Sequence, residues 1–375
     1  MTEPVGASRR RLFLGVVGLG LAAGTRVALG DVALGDVADD DAPGVIHLDR
    51  ESPERFLPAG RSRVAVKVPA GAFTTVGILG PQRALLGMSA FGDELARLAE
   101  TRGPTDEDGL LPRFLGFAPQ PETQTLELLV DVVDPVVVRM ACAFESDEKA
   151  PTQRGLKDGT EVARPLVAMP LPKQDADGYA LGIAARYVFL RVDVVRLLLA
   201  AFAKTKKKMG GDPIQMSDAS QWNGKRPRSD IAVVRHISHE GGCDVDLGLP
   251  ANDTYPSSLR DHCRGVRLDS EHFGCSPGTA KGVDFTRLAF FLGQLADEGV
   301  LVKVFMDDAY RREVIRAARE LGDKGMLGAS AGVALGEDGV LIASPWHTDH
   351  LHVRFWGEKG RAPFVDSPEA PQPTD

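Results

Sequence analysis

Two short segments rich in histidine and aspartate constrain the fold of this chain more than any other feature. Residues 236–246 follow the pattern His-x-x-His-x4-Asp-x-Asp, and residues 347–352 follow His-x-x-His-x-His. Alternate side chains of a strand point to the same face, so His350 and His352 would share one face, as would Asp244 and Asp246. An apolar core does not require two imidazoles on one strand face. A fold that joined the two segments would gather histidine and carboxylate ligands for a metal ion.

Composition sets the broad class. The chain has 375 residues, of which 43% are hydrophobic and 26% charged, as in an ordinary globular protein with room for two domains. Its formal net charge of -8 argues against a nucleic-acid partner, because such proteins normally present a basic face.

The N-terminus, residues 1–30, is predicted to be a signal peptide of the twin-arginine type. Arg10 and Arg11 precede Leu12-Phe13-Leu14, and the apolar stretch ends at Gly24. This stretch is shorter than the roughly 20 residues that span a bilayer, so we expect no stable membrane insertion once the signal is removed. The alternative is an ordinary secretory signal. Either route predicts export, and we expect a periplasmic location.

The rest of the chain is predicted to be an α+β protein in two parts. An acidic linker covers residues 31–60, an N-terminal domain of unknown function covers 61–175, and a domain carrying the histidine motifs covers 176–360. A disordered tail covers 361–375. The N-terminal domain is predicted to be small and α+β, with strands at 64–68, 126–133 and 136–140 and a helix at 81–100.

The second domain is predicted to be a small antiparallel sheet with flanking helices. Asp193 and Asp284 are candidate N-caps of two helices, and a third helix is predicted over 310–321. Strands are predicted at 300–306 and, as a final pair, at 340–343 and 351–355.

The four cysteines fit an oxidising compartment without requiring one. Cys263 and Cys275 are the favoured disulfide because they are close in a loop-like segment. Cys142 and Cys243 could pair across domains or remain small buried apolar residues. His262 and His272, near this disulfide, are expected on surface loops, and His47 is expected in the linker.

Residues 180–358 resemble the penicillin-insensitive murein endopeptidases, within the zinc-peptidase group that also contains lysostaphin, D-Ala-D-Ala peptidases and hedgehog signalling domains. The first family motif is similar to residues 236–246 and the second to residues 347–354, while residues 217–220 resemble a weaker Asp-x-Ser element. Three positions depart from the family pattern without removing a ligand: Glu240 stands in place of Gln, and Trp346 and Arg235 in place of Gly.

The resemblance implies a role for each matching residue. His239, Asp246 and His352 would bind Zn²⁺ and leave one position open for water. His350 would be the general base, and His347 would orient the water or hydrogen-bond the developing oxyanion. His236 would contact substrate or support a ligand, or would be structural. Asp244 or Asp349 would hold a ligand imidazole.

The function implied is hydrolysis of peptide crosslinks in bacterial peptidoglycan, at a bond of the D-Ala–diaminopimelate type. One alternative is a D,D-carboxypeptidase that shortens stem peptides, which needs a closed pocket for the terminal carboxylate. A second is a zinc-stabilised cell-wall binding module without turnover. Two histidines beyond the three ligands argue against the second alternative, because a structural zinc site would not use them.

Overall fold

The structure is a computed structural model of the chain. It describes residues 45–79, 85–91, 113–144, 164–182, 187–227, 238–251, 262–263, 266–268, 273–276, 281–355 and 360–361. The predicted signal peptide and residues 362–375 of the predicted tail lie outside these ranges, as do His236 and His272. Residues 43–375 cluster as one unit. The predicted α+β class is confirmed.

Eight described strands form the N-terminal region. They are β1 (Ile46–Leu48), β2 (Glu54–Leu57), β3 (Gly60–Val68), β4 (Ala72–Leu79), β5 (Leu85–Phe91), β6 (Arg113–Phe117), β7 (Gln124–Val132) and β8 (Val136–Phe144). One four-stranded sheet has the order β1-β3-β7-β5, and the other has the order β2-β8-β4-β6. Both contribute to a single apolar cluster that includes Val66, Ile78, Leu128 and Val138. The region is therefore a β-sandwich.

Two predictions for this region are wrong. Leu85–Phe91 form a strand rather than part of a helix, because this segment pairs antiparallel with β7 at the edge of its sheet. Its apolar residues suited a helical period, and tertiary pairing overrode that local preference. The predicted linker also extends too far, since β1 and β2 belong to the sandwich and His47 is an exposed residue of β1.

The second region contains the remaining strands and all four described helices. The strands are β9 (Arg164–Ala168), β10 (Tyr179–Leu181), β11 (Phe189–Arg191), β12 (Ile214–Met216), β13 (Asp244–Gly248), β14 (Val266–Leu268), β15 (Phe273–Cys275), β16 (Leu301–Met306), β17 (Leu341–Ala343), β18 (His350–Phe355) and β19 (Gly360–Arg361). The helices are α1 (Val192–Met209), α2 (Phe285–Asp297), α3 (Asp308–Asp323) and α4 (Ala329–Ala334), and a 3₁₀ turn spans Asp175–Asp177.

The main sheet of this region has the order β10-β12-β13-β18-β16-β17. Its three inner pairings are antiparallel as predicted, whereas the outer pairs β10–β12 and β16–β17 are parallel. The predicted final pair does not form, because β16 lies between β17 and β18. Smaller sheets join β11, β9 and β19, and β14 with β15.

The helices pack on this sheet through apolar faces. Phe202 of α1 stacks between Tyr179 and Phe291 of α2, at ring-centroid distances of 5.3 and 4.9 Å. Asp284 caps α2 as predicted, by accepting a hydrogen bond from the backbone N–H of Arg287 at 2.9 Å. Asp193 instead lies inside the first turn of α1, where it is paired with buried Arg191. Within the described part of the chain, no helix combines the length and apolar composition needed to cross a bilayer.

The sandwich and the second region share a core. Phe114 of β6 meets Phe189 of β11 edge to face at 4.6 Å, and both belong to the apolar cluster that fills the second region. The backbone N–H of Ala168 donates to Thr75 Oγ1 at 3.0 Å. Strand β9 precedes the predicted boundary at residue 175, yet it pairs with β11 of the second region. The two parts therefore join through buried contacts rather than through a linker.

The predicted disulfide between Cys263 and Cys275 is confirmed. Cys142 and Cys243 are not disulfide-bonded. The Cys243 thiol is buried, and burial raises its pKa to about 11, so it remains a protonated, apolar side chain at neutral pH.

Candidate metal centre

The pairing of β13 with β18 brings the two histidine–aspartate segments together. Asp246 lies directly opposite His352 in this antiparallel ladder. The backbone around Asp246 is fixed on its other side as well, because its N–H donates to Asp218 O and its carbonyl accepts from Ser217 N, both at 2.8 Å. The weak upstream element at residues 217–220 therefore supports the strand that carries Asp246.

His239 reaches the same point through a tight glycine turn. Gly241 and Gly242 both have positive φ, at 66° and 72°, a backbone conformation that favours glycine. A Cβ at Gly242 would lie 2.7 Å from the backbone nitrogen of Arg191, so β11 leaves no room for a larger residue. The turn reverses the chain between His239 and β13 and leaves the imidazole fully buried.

Three potential ligand atoms converge at the centre of this site. His239 Nε2, His352 Nδ1 and Asp246 Oδ1 lie 3.0, 3.1 and 3.2 Å apart in pairs. Ligands about 2.0–2.1 Å from a tetrahedral zinc ion are separated by about 3.3 Å, so the triangle matches three corners of such a coordination shell. All three side chains are buried. His239, Asp246 and His352 could therefore hold a metal ion, as the sequence predicted.

Asp244 sets the orientation of one ligand. Its Oδ1 lies 2.7 Å from His352 Nε2 and also accepts a hydrogen bond from Arg354 Nε at 2.8 Å. A carboxylate can only accept, so Nε2 carries the ring proton and the lone pair is at Nδ1, facing His239 and Asp246. A carboxylate behind a ligand histidine is a common support in metal sites. The sequence offered Asp244 or Asp349 for this role, and the structure places Asp244 there.

The charges in this cluster favour a cation. Burial alone would raise the pKa of Asp246, but His239 and His352 outweigh it and hold the pKa well below its usual range. Burial alone would lower the pKa of His352, but Asp244 and Asp246 raise it to about 9. The site therefore stabilises positive charge at the point where the three ligand atoms meet.

His350 lies beside the triangle with its own carboxylate partner. His350 Nδ1 donates to Asp349 Oδ1 at 2.5 Å, which leaves the lone pair at Nε2. That Nε2 is 3.9 Å from Asp246 Oδ2. Burial lowers the pKa of His350, but Asp349 and Asp246 more than compensate and raise it. His350 thus lies next to the three candidate ligands and is not part of their group.

His347 occupies the outer side of the site. Its Nδ1 donates to the carbonyl oxygen of Pro345 at 2.7 Å, and its ring centroid lies 4.9 Å from that of His350. Burial lowers its pKa, so the neutral ring is favoured, with its lone pair at Nε2.

Sequence reasoning missed the residues that support this site from β16 and α3. The half-buried ring of Phe305 lies edge to face with His352 at 5.4 Å and stacks on His347 at 6.3 Å. Tyr310 Oη donates to Thr348 O at 2.7 Å and accepts from the backbone N–H of His262. Phe305 stands in an ordinary apolar strand pattern, so no signal in the sequence distinguishes it.

A second histidine prediction, after that for His47, is wrong. His262, expected on a surface loop, is buried at 5% exposure between the Cys263–Cys275 disulfide and the segment that carries His347. Two of the three departures from the family pattern, Glu240 and Trp346, lie within the described residues. Glu240 pairs with Arg226 at 2.9 Å.

Comparisons with known proteins add little to this description. No protein-family model and no curated protein sequence matches the chain. Among solved structures, the chain is similar to PliG from Aeromonas hydrophila, a periplasmic inhibitor of g-type lysozyme, at 17% sequence identity and a TM-score of 0.17. The match covers 27% of this chain and 100% of that one. A TM-score this low carries no argument about fold or function.

Proposed function

We propose that this protein is a zinc-dependent peptidase that hydrolyses peptide crosslinks of bacterial peptidoglycan. The observation that carries the proposal is the triangle of His239, Asp246 and His352 with Nε2 of His350 beside it, 3.9 Å from Asp246 Oδ2. A structural metal site needs only ligands. A hydrolytic site also needs a proton acceptor that is not a ligand, and His350 has the geometry for that role.

Zinc is the metal that this donor set suits best. Two imidazoles and one carboxylate, with a fourth position left for water, are the usual ligand set of zinc peptidases. Bound zinc supplies Lewis acidity, which polarises an amide carbonyl and lowers the pKa of water towards about 7. Asp244 contributes by keeping the proton of His352 on Nε2, so that Nδ1 remains available as a ligand atom.

His350 moves the proton. With Nδ1–H bound to Asp349, the ring accepts a proton from the attacking water at Nε2 and becomes an imidazolium that the Asp349 carboxylate stabilises. The same Nε2–H then donates to the nitrogen of the leaving amine. The side chain is 20% exposed, and Asp349 fixes the ring.

His347 orients water in this scheme. Its Nδ1–H is used by Pro345 O, so the neutral ring presents a hydrogen-bond acceptor at Nε2 and has no second N–H for an oxyanion. Of the two roles considered from the sequence, the hydrogen bond to Pro345 supports the orientation of water.

The substrate class rests on the resemblance of residues 180–358 to penicillin-insensitive murein endopeptidases. The twin-arginine pattern at Arg10 and Arg11 agrees with it, because peptidoglycan lies outside the cytoplasmic membrane. We therefore propose a periplasmic location and a crosslinking amide of the D-Ala–diaminopimelate type as the bond that is cleaved.

Incubation with purified muropeptides, followed by mass spectrometry, tests this proposal. Zinc-loaded protein should split crosslinked dimers into monomers, a strong chelator should stop the reaction, and β-lactams should leave it unchanged because no serine nucleophile takes part. The matched inactive control is His350→Ala, which keeps all three ligands.

Two outcomes would replace the proposal. Shortening of monomeric pentapeptide stems with dimers left intact would identify a D,D-carboxypeptidase. Binding of peptidoglycan by a zinc-loaded protein that cleaves neither substrate would identify a binding module.

A further inference from the structure

Trp346 combines two unfavourable features at the edge of the metal centre. Its side chain is 63% exposed, although burial of an indole is strongly favourable. Its φ is 66°, and it is the only non-glycine residue with positive φ in the described part of the chain. Pro345 and Trp346 form a turn with proline second and positive φ third, and glycine is strongly favoured at that third position. Exposure and positive φ thus both disfavour a tryptophan at this position.

The turn is tied directly to the residues proposed for catalysis. The carbonyl oxygen of Pro345 accepts the hydrogen bond from His347 Nδ1, and the ring of His347 lies 4.9 Å from that of His350. An exposed side chain thus lies next in the chain to His347. Unfavourable backbone conformations that persist in proteins cluster at ligand-binding and catalytic positions.

We propose that Trp346 is a substrate-contacting residue, whose indole packs against an apolar face of the muropeptide next to the scissile amide. This inference rests on the proposed function and deepens it. Either the C–H face of a sugar ring or an aliphatic part of the stem peptide provides such a face. The contact excludes water from one side of the bound peptide and contributes to binding, while proton transfer remains with His350.

Two substitutions distinguish a contact of the indole with substrate from a role of residue 346 in the backbone turn. Trp346→Gly removes the indole and relieves the positive φ, whereas Trp346→Phe keeps an aromatic face and the same backbone constraint. If the residue serves only the turn, glycine should be neutral or stabilising and should leave substrate binding unchanged. If the indole contacts substrate, glycine should weaken binding about 10-fold, and phenylalanine should retain most of it. The control is Val333→Ala, since Val333 is an exposed apolar residue of α4.

The experiment measures both Kd and turnover with zinc-loaded protein. Calorimetry in a His350→Ala background, which blocks turnover, gives the Kd of crosslinked dimers with and without their disaccharides. Steady-state kinetics in the otherwise native chain gives KM and kcat. We expect Trp346→Gly to raise both Kd and KM about 10-fold with little change in kcat or zinc content, because uniform binding is lost. If Trp346→Gly no longer raises the Kd of dimers that lack their disaccharides, the indole contacts the sugar. If the Kd still rises, the indole contacts the stem peptide.

The outcomes distinguish the inference from the proposed function. Unchanged Kd and KM in Trp346→Gly, with native turnover intact, would overturn the inference and leave the proposed function standing. If the native chain binds dimers without cleaving them, and Trp346→Gly weakens that binding, the proposed function fails and the inference about Trp346 stands. Absence of dimer binding by the native chain overturns both.

Discussion

Side chains alternate between the two faces of the strands in both the sandwich and the main sheet of the second region, but different residue types alternate in each. In the sandwich, alternate residues of strands such as β7 point into an apolar core while their neighbours face solvent. In β13 every residue is buried, and the alternation separates the apolar Val245 and Leu247 from the carboxylates of Asp244 and Asp246. Buried carboxylates are costly unless paired. The ones in β13 are paired with imidazoles and arginine, which offsets that cost.

The largest effect is expected on muropeptide hydrolysis, when a histidine of the main sheet is replaced. The His350→Ala variant should retain its zinc and its native fold. Its rate of muropeptide hydrolysis should fall by roughly 10²–10⁴-fold, the usual contribution of a positioned acid–base group. The matched control in the sandwich is His47→Ala, an exposed residue of β1, which should be neutral. Turnover and zinc content are measured together. Unchanged turnover would show that His350 is not the general base. Loss of zinc would show that His350 is a ligand and that His352 is the candidate base.

A smaller effect is expected from Asp244, which contacts a ligand without being one. Asp244→Asn should reduce zinc affinity about 10–100-fold, because an amide holds the Nε2–H of His352 less firmly than a carboxylate. Asp131→Asn is the control, since Asp131 forms an exposed pair with Arg61 in the sandwich. Competition with a zinc-binding dye gives both affinities. Equal affinity in Asp244→Asn and the native chain would show that this hydrogen bond does not tune the site.

The smallest effect tests whether the two regions are energetically joined. A Cβ at Gly116 would meet the backbone oxygens of Ala168 and Met169, the latter at 2.7 Å. Gly116→Ala should therefore lower the free energy of unfolding by about 1–3 kcal/mol. The control is Gly71→Ala, where φ is 73° and no atom lies within 4 Å of the added Cβ, so only backbone strain of about 1 kcal/mol applies.

Chemical denaturation followed by probes in each region decides this prediction. One transition that shifts for both probes is expected, because the apolar cluster of the second region includes Phe114 of the sandwich. Two transitions, with only the sandwich shifted by Gly116→Ala, would show that the regions unfold independently.

Much of the metal centre could be predicted from the sequence because its chemistry is concentrated in two motifs. The alternation of His350 with His352 and of Asp244 with Asp246 predicted shared faces, and the contacts of His352 with both aspartates agree. The support from Phe305 and Tyr310 could not be predicted, because it depends on the pairing of β16 with β18 and on the positions of α3 and the disulfide segment.

The sandwich was harder to predict, because its sequence carries only hydrophobic patterns. Residues 85–91 have apolar spacing that suits a helix, and only the free edge of β7 makes them a strand. Residues 46–57 look like a linker by their composition, yet β1 and β2 complete the two sheets. Pairing with strands distant in the sequence determines the secondary structure of both segments, and the local sequence does not encode that pairing.

Zinc content after equilibrium dialysis is the most direct test of the account, because every further role depends on the triangle of His239, Asp246 and His352. The native chain should hold about one zinc ion, and so should the His47→Ala control. His239→Ala, Asp246→Ala and His352→Ala should each lose it while circular dichroism reports an intact fold. Full zinc occupancy in any two of these three variants would contradict the assignment of the metal centre.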